Sequence, residues 1–133
     1  MPVQMTPGVK KLFTDTNLGH LATLMKDGSP QVTVVWVDLD GDRILVNTAE
    51  GRTKPRNVRR DARVAISISD PSGYPSATVR GRVVDLAHEG ADAHIDKMAK
   101  KYLGQDKYPW AQPGDQRVII AIEPEHVSGM MTD

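Results

Sequence analysis

Alternation of apolar and polar residues dominates this chain and predicts a mainly β fold. In Val64–Ser69, for example, Val64, Ile66 and Ile68 alternate with Ala65, Ser67 and Ser69. This period of two places one face of a strand inward and the other outward. Similar patterns predict strands over His20–Met25, Gln31–Leu39, Ile44–Ala49, Ser76–Leu86, Val118–Ile122 and His126–Met130. We therefore expect a closed, mostly antiparallel β-barrel of six or seven strands, in one domain spanning residues 1–133.

Turn residues between these strands predict how the first part of the sheet is connected. Asp27-Gly28 and Asp40-Gly41 each separate two predicted strands, and Asp-Gly is a strong hairpin signal. The first three strands are therefore expected to form an antiparallel meander. Gly81 interrupts the long strand Ser76–Leu86, where it indicates a bulge or a sharp barrel corner.

Helical patterns occur in three places beside the predicted strands. Thr6-Pro7 is typical of an N-cap and first helical position, and a short helix is expected from there to near Gly19. About two helical turns are expected over Arg56–Asp61. The longest helix is expected over Glu89–Leu103, where apolar residues recur at helical spacing and Gly104 follows.

Composition narrows the classes of function. The chain has 133 residues and no cysteine, which excludes disulfides, thiolate nucleophiles and iron–sulfur clusters and favours a reducing cytoplasm. We expect no membrane association, because no apolar run approaches the ~18 residues of a membrane span. Seventeen basic residues balance seventeen acidic ones, which argues against nucleic-acid binding.

The chain lacks the usual catalytic motifs. The four histidines are not spaced with carboxylates as metal ligands, so we expect no metal site. Gly-x-Ser-x-Gly, Walker and Gly-x-Gly-x-x-Gly motifs do not occur in the sequence. We therefore assign no catalytic residue, and any reaction is expected to be carried by a bound organic cofactor.

Basic residues are concentrated between residues 52 and 63, directly after a predicted strand. The segment Thr48–Asn57 offers hydroxyls, an amide, cations, a glycine and the start of a short helix, which together suit a phosphate group. Arg52 and Lys54 precede the helix and are expected to point at its mouth. The other arginines of this region, Arg56, Arg59, Arg60 and Arg63, are typical of a solvated face.

Polar and aromatic residues elsewhere offer further candidate contacts. Gln31 and Thr33 lie on a strand face that is apolar further along, which is typical either of a polar site or of an exposed strand end. Tyr74 and Trp110 lie in predicted loops beside prolines. Such aromatics can stack on a planar ring or pack a corner of the fold.

Taken together, these segments resemble a known family. The basic segment "GRTKPRNVRRDARVAI", the opening "GHLATLMKDGSPQ" and the closing "RVIIAIEPEHVSGM" are similar to the pyridoxamine 5′-phosphate oxidase-like flavin-binding split β-barrels. The likeness is greater to their actinobacterial deazaflavin-dependent reductases. It implies a split β-barrel with flanking helices, and a homodimer whose two cofactor sites lie at the subunit interface.

The resemblance also implies roles for individual residues. Arg52 and Lys54 correspond to phosphate-binding cations, with Thr53 and Asn57 as hydrogen-bonding partners. The residues expected near the ring system are Gln31, Thr33 and Thr48 from the same chain and Tyr74 from the partner subunit.

The expected function is hydride transfer from reduced coenzyme F420 to an electron-poor small molecule such as a conjugated enone or lactone. An FMN-dependent oxidoreductase of the same fold and a non-catalytic cofactor-binding protein remain alternatives. Nucleic-acid binding through the arginine cluster is disfavoured by the balanced charge and by the small number of aromatic residues.

Overall fold

The segments with alternating apolar and polar residues form one antiparallel sheet in the computed structural model, which describes residues 3–132. Seven strands occur in this part of the chain, in agreement with the predicted six or seven. The strands are β1 (Gly19–Leu24), β2 (Pro30–Val35), β3 (Asp38–Asp40), β4 (Arg43–Ala49), β5 (Arg63–Ser69), β6 (Ser76–Ala87) and β7 (Arg117–Met130). The helices are α1 (Pro7–Thr14), α2 (Thr53–Arg60) and α3 (Ala91–Leu103). The predicted mainly β fold with flanking helices is confirmed.

The strand order shows how the sheet closes. The order is β2-β1-β5-β6-β7-β4-β3, so β2 and β3 lie at opposite edges although only Trp36 and Val37 separate them in sequence. The sheet must therefore curl until its two edges meet, which makes it a barrel. The predicted strand Gln31–Leu39 is broken at this junction, where the Val37 N–H donates to the Tyr102 hydroxyl at 3.0 Å.

The predicted meander of the first three strands forms, but its middle strand is broken in two. The predicted strand Gln31–Leu39 pairs with β1 through β2 and with β4 through β3. The two Asp-Gly turns form the β1–β2 and β3–β4 connections. The break at Trp36 and Val37, which the alternating pattern did not indicate, places the two halves at opposite edges of the sheet.

Two segments predicted as separate strands form the single long strand β7, which pairs with β4 at its start and with β6 along its length. The β6–β7 register shifts between Arg80 and Gly81. A Cβ atom at position 81 would collide with the backbone carbonyl of Glu123. The predicted bulge at Gly81 is therefore confirmed, and it allows β7 to continue across the bend.

The helices begin and end at positions set by their caps. α1 starts as predicted, with the Thr6 hydroxyl accepting from the Val9 N–H, but it ends at Thr14 rather than near Gly19 because Asp15 is extended. α2 begins at Thr53, earlier than predicted, since Pro55 is tolerated in a first helical turn. Among the helices of residues 3–132, none is both long enough and apolar enough to span a membrane.

The barrel core joins α1 to the inward faces of the strands. Phe13 of α1 is fully buried and belongs to the same apolar cluster of buried side chains as Leu21, Ile66, Ile120 and Ile122. α3 covers the β2–β3 junction, where the Lys101 ammonium donates to the carbonyl oxygens of Phe13 and Val37 at 2.6 and 2.7 Å. This packing holds the end of β2 in place.

Candidate functional site

A cleft of about 160 Å³ lies where β2, β4, the start of α2 and the start of β7 come together. It is lined by Val34, Val35, Trp36, Asn47, Thr48, Arg52, Lys54, Ile95, Tyr108, Trp110 and Arg117. One part of this lining is cationic and another part is aromatic. The cleft therefore joins a surface suited to an anion with a surface suited to a planar apolar group.

The connection between β4 and α2 carries the cations at the mouth of the cleft. Gly51 turns the chain with a φ of +86°, a conformation that glycine adopts without strain. Arg52 is the N-cap of α2, and its side chain forms no hydrogen bond to the first turn of the helix. Glu50 receives two hydrogen bonds of 2.6 Å from Arg59, which ties this connection to the helix. The cations and the N-terminus of α2, which has no side-chain cap, thus lie together at the mouth of the cleft.

The electrostatics of this mouth favour an anionic ligand. The Lys54 ammonium is half-buried and donates to the Thr33 hydroxyl at 3.2 Å. Burial, and then the charge of Arg52, lowers the pKa of Lys54 below its usual value of 10.5. No carboxylate is present among the described residues that line the cleft. A bound anion would offset the repulsion between Lys54 and Arg52, and it would compensate the Lys54 ammonium for its lost solvation.

The floor of the cleft contains a buried arginine that the sequence analysis missed. Arg117 is only 6% exposed, and its Nε donates to Asn47 Oδ1 at 2.9 Å. Its Nη1 and the buried hydroxyl of Thr48 have no hydrogen-bond partner within residues 3–132. Arg117 begins the apolar strand "RVIIAI", and a charged residue at the head of a fully buried strand is the signal that could have identified it.

Aromatic side chains form one wall of the cleft. Trp36 stacks on Tyr102 with ring centroids 5.3 Å apart, and Trp110 lies 5.7 Å from Tyr108 and 6.2 Å from Trp36. Trp110 is also 56% exposed. Trp110 therefore meets both expectations for a loop aromatic residue. It packs a corner of the fold, and it presents an accessible ring to the cleft.

Several predicted site residues lie together here. Thr48, Arg52 and Lys54 line the cleft, and Thr33 reaches it through its hydrogen bond with Lys54. Thr53 is the first residue of α2 and is half-buried directly beside these cations. The structure therefore brings five of the eight candidate residues into one neighbourhood.

Gln31 and Asn57 are not among the lining residues of the cleft, and both make contacts within the protein. The Asn57 amide donates to the Thr23 hydroxyl at 3.0 Å, and its oxygen accepts from Arg60 at 2.8 Å. The Thr23 hydroxyl in turn donates to Gln31 Oε1 at 3.5 Å. Because Asn57 is 2% exposed and already bonded at both ends, it holds α2 against β1 in this structure.

Tyr74 does not line the cleft of its own chain. It lies in the turn between β5 and β6 and is 55% exposed. The resemblance assigned Tyr74 to the cofactor site of a partner subunit, and that role stays a prediction that depends on the dimer.

The arginines around α2 differ in their surroundings. Arg59 is paired with Glu50, and Arg63 with Asp61 at 2.7 Å, both on the surface. Arg60 donates to the carbonyl oxygen of Leu24 at 2.9 Å. Arg56 is exposed. These contacts stabilise the helix and its connections, and they neutralise part of the positive charge outside the cleft.

A second groove, of about 320 Å³, runs across β1, β5, β6 and β7. Arg63 and Arg80 line it together with Glu125, so both signs of charge are present. Its described lining residues include no phenylalanine, tyrosine or tryptophan. The smaller cleft is therefore the better candidate for an anionic ligand with a planar ring.

Comparisons with known proteins identify the family of the chain. Residues 5–131 match the pyridoxamine 5′-phosphate oxidase family. A solved structure of an F420 reductase is 33% identical, with a TM-score of 0.81 over 93% of this chain and 98% of that protein. A conserved hypothetical protein of Mycobacterium tuberculosis is 20% identical, with a TM-score of 0.74 over 96% of this chain and 85% of that protein. General stress protein 26 of Bacillus anthracis is 14% identical, with a TM-score of 0.69 over 95% and 93%. The family pattern and the 33% identity confirm the resemblance seen in the sequence, and the chain belongs to the pyridoxamine 5′-phosphate oxidase family.

Proposed function

We propose that this protein is an oxidoreductase that binds the deazaflavin coenzyme F420 in the cleft and reduces an electron-poor small molecule. The observation that carries the proposal is the charge of the lining. Arg52, Lys54 and Arg117 face one cleft, and no carboxylate lies among its described lining residues. Three cations in one cleft raise the free energy of the folded protein when no anion is bound. The 33% identity to an F420 reductase supports F420 as that anion.

Arg52, Lys54 and the first turn of α2 would hold the phosphate group of the cofactor. The N–H groups at a helix start and two neighbouring cations together favour a phosphate. Thr53, as the first helical residue, places its backbone and hydroxyl at the same end of the helix. The unpartnered Nη1 of Arg117, which also lines the cleft, fits a ligand that carries oxygen acceptors.

The aromatic wall would hold the planar ring system. Trp36, Tyr108 and Trp110 offer broad apolar faces on one side of the cleft. When bound, the reduced deazaflavin supplies a hydride to the double bond of an acceptor such as a conjugated enone or lactone, and a proton from water completes the reduction. The residues of the chain orient the ring and exclude water from its face.

An FMN-dependent oxidoreductase is the second candidate. FMN also ends in a phosphate, and the cations Arg52 and Lys54 at the start of α2 suit that phosphate equally. Glu50 and Asp61 pair with Arg59 and Arg63, which reduces the positive surface available to the acidic tail of F420. This pairing is the observation that favours FMN.

Titration of the purified protein with each cofactor tests the proposal. We expect F420 to bind more tightly than FMN at low salt, because its acidic tail would continue beyond the phosphate, and the exposed Arg56 on the same helix would attract it. Exposed charge pairs contribute only about 0–1 kcal/mol each and are screened by salt. The difference in affinity should therefore narrow as the salt concentration rises.

Turnover gives the second part of this test. Reduced F420 should support reduction of an enone acceptor, whereas reduced FMN should not. Tight co-purification of FMN that F420 fails to displace at low salt would make FMN the cofactor. Tight F420 binding without reduction of any acceptor would instead favour a non-catalytic cofactor-binding protein.

We also propose that the protein is a homodimer with cofactor sites shared between subunits. The cleft of about 160 Å³ is smaller than the ~300–1,000 Å³ usual for a site of this kind, so a second chain would complete it. Val32 and Val34 on the edge strand β2 are 62% and 57% exposed, beside the cleft. Apolar side chains in such a place suit a subunit interface.

Light scattering at micromolar concentration tests this assembly. We expect a dimer that buries more than ~1,000 Å² in total. Val32→Glu should shift the protein towards monomer and weaken cofactor binding, whereas Val32→Thr, which keeps the side-chain shape, should stay dimeric. A stable wild-type monomer that still binds cofactor would contradict the shared site.

A further inference from the structure

We propose that Glu50 is a positioning residue for the mouth of the cleft, because it holds the turn before α2 and so keeps Arg52 and Lys54 in place before a ligand arrives. This inference rests on the proposed function. Glu50 is not among the lining residues of the cleft. It would therefore act on ligand affinity through the two cations, and not by contact with the ligand.

The pairing of the Glu50 carboxylate is the first observation. It receives two hydrogen bonds of 2.6 Å from the Arg59 guanidinium, one on each oxygen, and its Oε2 lies 2.5 Å from His88 Nε2. Surface ion pairs usually contribute little, but a bidentate arginine pair within a larger network is the exception. Both oxygens of Glu50 are therefore engaged within the protein.

The segments that Glu50 joins are the second observation. Arg59 lies in the last turn of α2, and His88 lies in the connection between β6 and α3. The Glu50 backbone N–H donates to the Gln116 carbonyl oxygen at 2.9 Å, directly before Arg117 at the start of β7. Glu50 thus ties together the two segments that carry the three cations of the cleft.

The turn between Glu50 and Lys54 is weakly restrained by its own contacts. Gly51 has the backbone freedom of a glycine, and the Arg52 N–H reaches the Ala49 carbonyl oxygen at 3.4 Å. The Arg52 side chain forms no hydrogen bond to the first turn of α2. A turn of this kind loses conformational freedom on ligand binding unless another contact already orders it. The Glu50 network supplies such a contact.

The charge of Glu50, taken alone, would have the opposite effect on an anionic ligand. The hydrogen bonds from Arg59 and then from His88 lower the pKa of Glu50 to about 2, so its carboxylate is charged at neutral pH. A negative charge beside an anion site opposes binding. Removing the charge should therefore strengthen binding if Glu50 acts only through its field, and weaken binding if Glu50 positions the cations.

The experiment measures the affinities of purified variants for F420 and FMN by fluorescence titration, since both probes carry a phosphate. We expect Glu50→Gln, which keeps the side-chain shape, to weaken the binding of each probe that the wild type binds by about threefold to tenfold. Arg59→Lys keeps the net charge but cannot hold both carboxylate oxygens in the same way, so it should weaken binding by a similar factor.

Asp61→Asn is the matched control for the loss of one negative charge. Asp61 pairs with Arg63 at the other end of α2 and is not among the lining residues of the cleft. Its replacement should leave the affinity unchanged or raise it slightly. The melting temperature of each variant should stay within a few degrees of that of the wild type, because these pairs lie near the surface.

Four results would overturn the inference. If Glu50→Gln binds as tightly as the wild type or more tightly, Glu50 does not position the cations. If Arg59→Lys binds like the wild type, the bidentate pair is not needed, and if Asp61→Asn loses as much affinity as Glu50→Gln, the effect is not specific to the turn. In these three cases the proposed function stands. If the wild type binds neither probe, the proposed function fails and this inference fails with it.

Discussion

Replacing Lys54 with methionine is expected to weaken F420 binding about tenfold to a hundredfold, because a charge-assisted hydrogen bond to phosphate contributes ~1.5–3 kcal/mol. Methionine keeps the length of the side chain and removes only the charge. The ammonium lies in the cleft, where its one hydrogen bond within residues 3–132 goes to the Thr33 hydroxyl. Equilibrium titration of the variant and the wild type at one salt concentration measures the loss.

Arg56→Met is the matched control for Lys54→Met. Arg56 lies on the same helix, but it is exposed and does not line the cleft. Its replacement should reduce F420 affinity by no more than a few-fold, since an exposed pair contributes about 0–1 kcal/mol. Equal losses at the two positions would mean that general positive charge, rather than the cleft, attracts the cofactor.

The pH dependence of binding follows from the same lysine. Burial and Arg52 lower the pKa of Lys54 in the free protein, and a bound phosphate would raise it again. Binding is then favoured while Lys54 is protonated, and it weakens as the pH rises through the Lys54 pKa, below 10.5. Lys54→Met should remove this alkaline loss of affinity. An unchanged alkaline profile in the variant would assign the titration to another group.

The sequence predicted the class of the fold and the mouth of the cleft because both depend on local patterns. Alternating residues define strands wherever they pair, and the basic segment around Lys54 follows directly from one strand into one helix. The break in the middle strand of the meander escaped prediction because it depends on contacts between distant segments. The burial of Val37 under α3, which bends the chain from one sheet edge to the other, has no local signature.

The floor of the cleft escaped prediction for the same reason. Arg117 meets Asn47 only because β4 and β7 pair in one register, with Ala49 opposite Arg117. Asn57 shows the reverse case. Its position in the basic segment indicated a phosphate contact, but the packing of α2 on β1 turns its amide towards Thr23. Residue type and spacing thus gave the candidates, and tertiary packing decided which of them face the cleft.

Phe13→Ala is expected to cause the largest loss of stability, about 3–5 kcal/mol in the free energy of unfolding. Phe13 is fully buried where α1 closes the barrel, and its removal leaves a cavity among side chains held by several strands. Small domains have only about 5–15 kcal/mol in total. The melting temperature should therefore fall on the order of 10 °C or more.

Phe13→Leu is the control for this loss, because leucine refills most of the cavity and should cost markedly less. Thermal and urea unfolding at one fixed protein concentration measure both variants, since dimer formation makes stability depend on concentration. Phe13 does not line the cleft. Below its melting temperature, folded Phe13→Ala should therefore bind F420 with wild-type affinity. Lys54→Met, in contrast, should lose affinity for F420. A stability loss near zero would mean that α1 does not close the core, and a parallel loss of affinity would mean that the barrel end and the cleft are coupled.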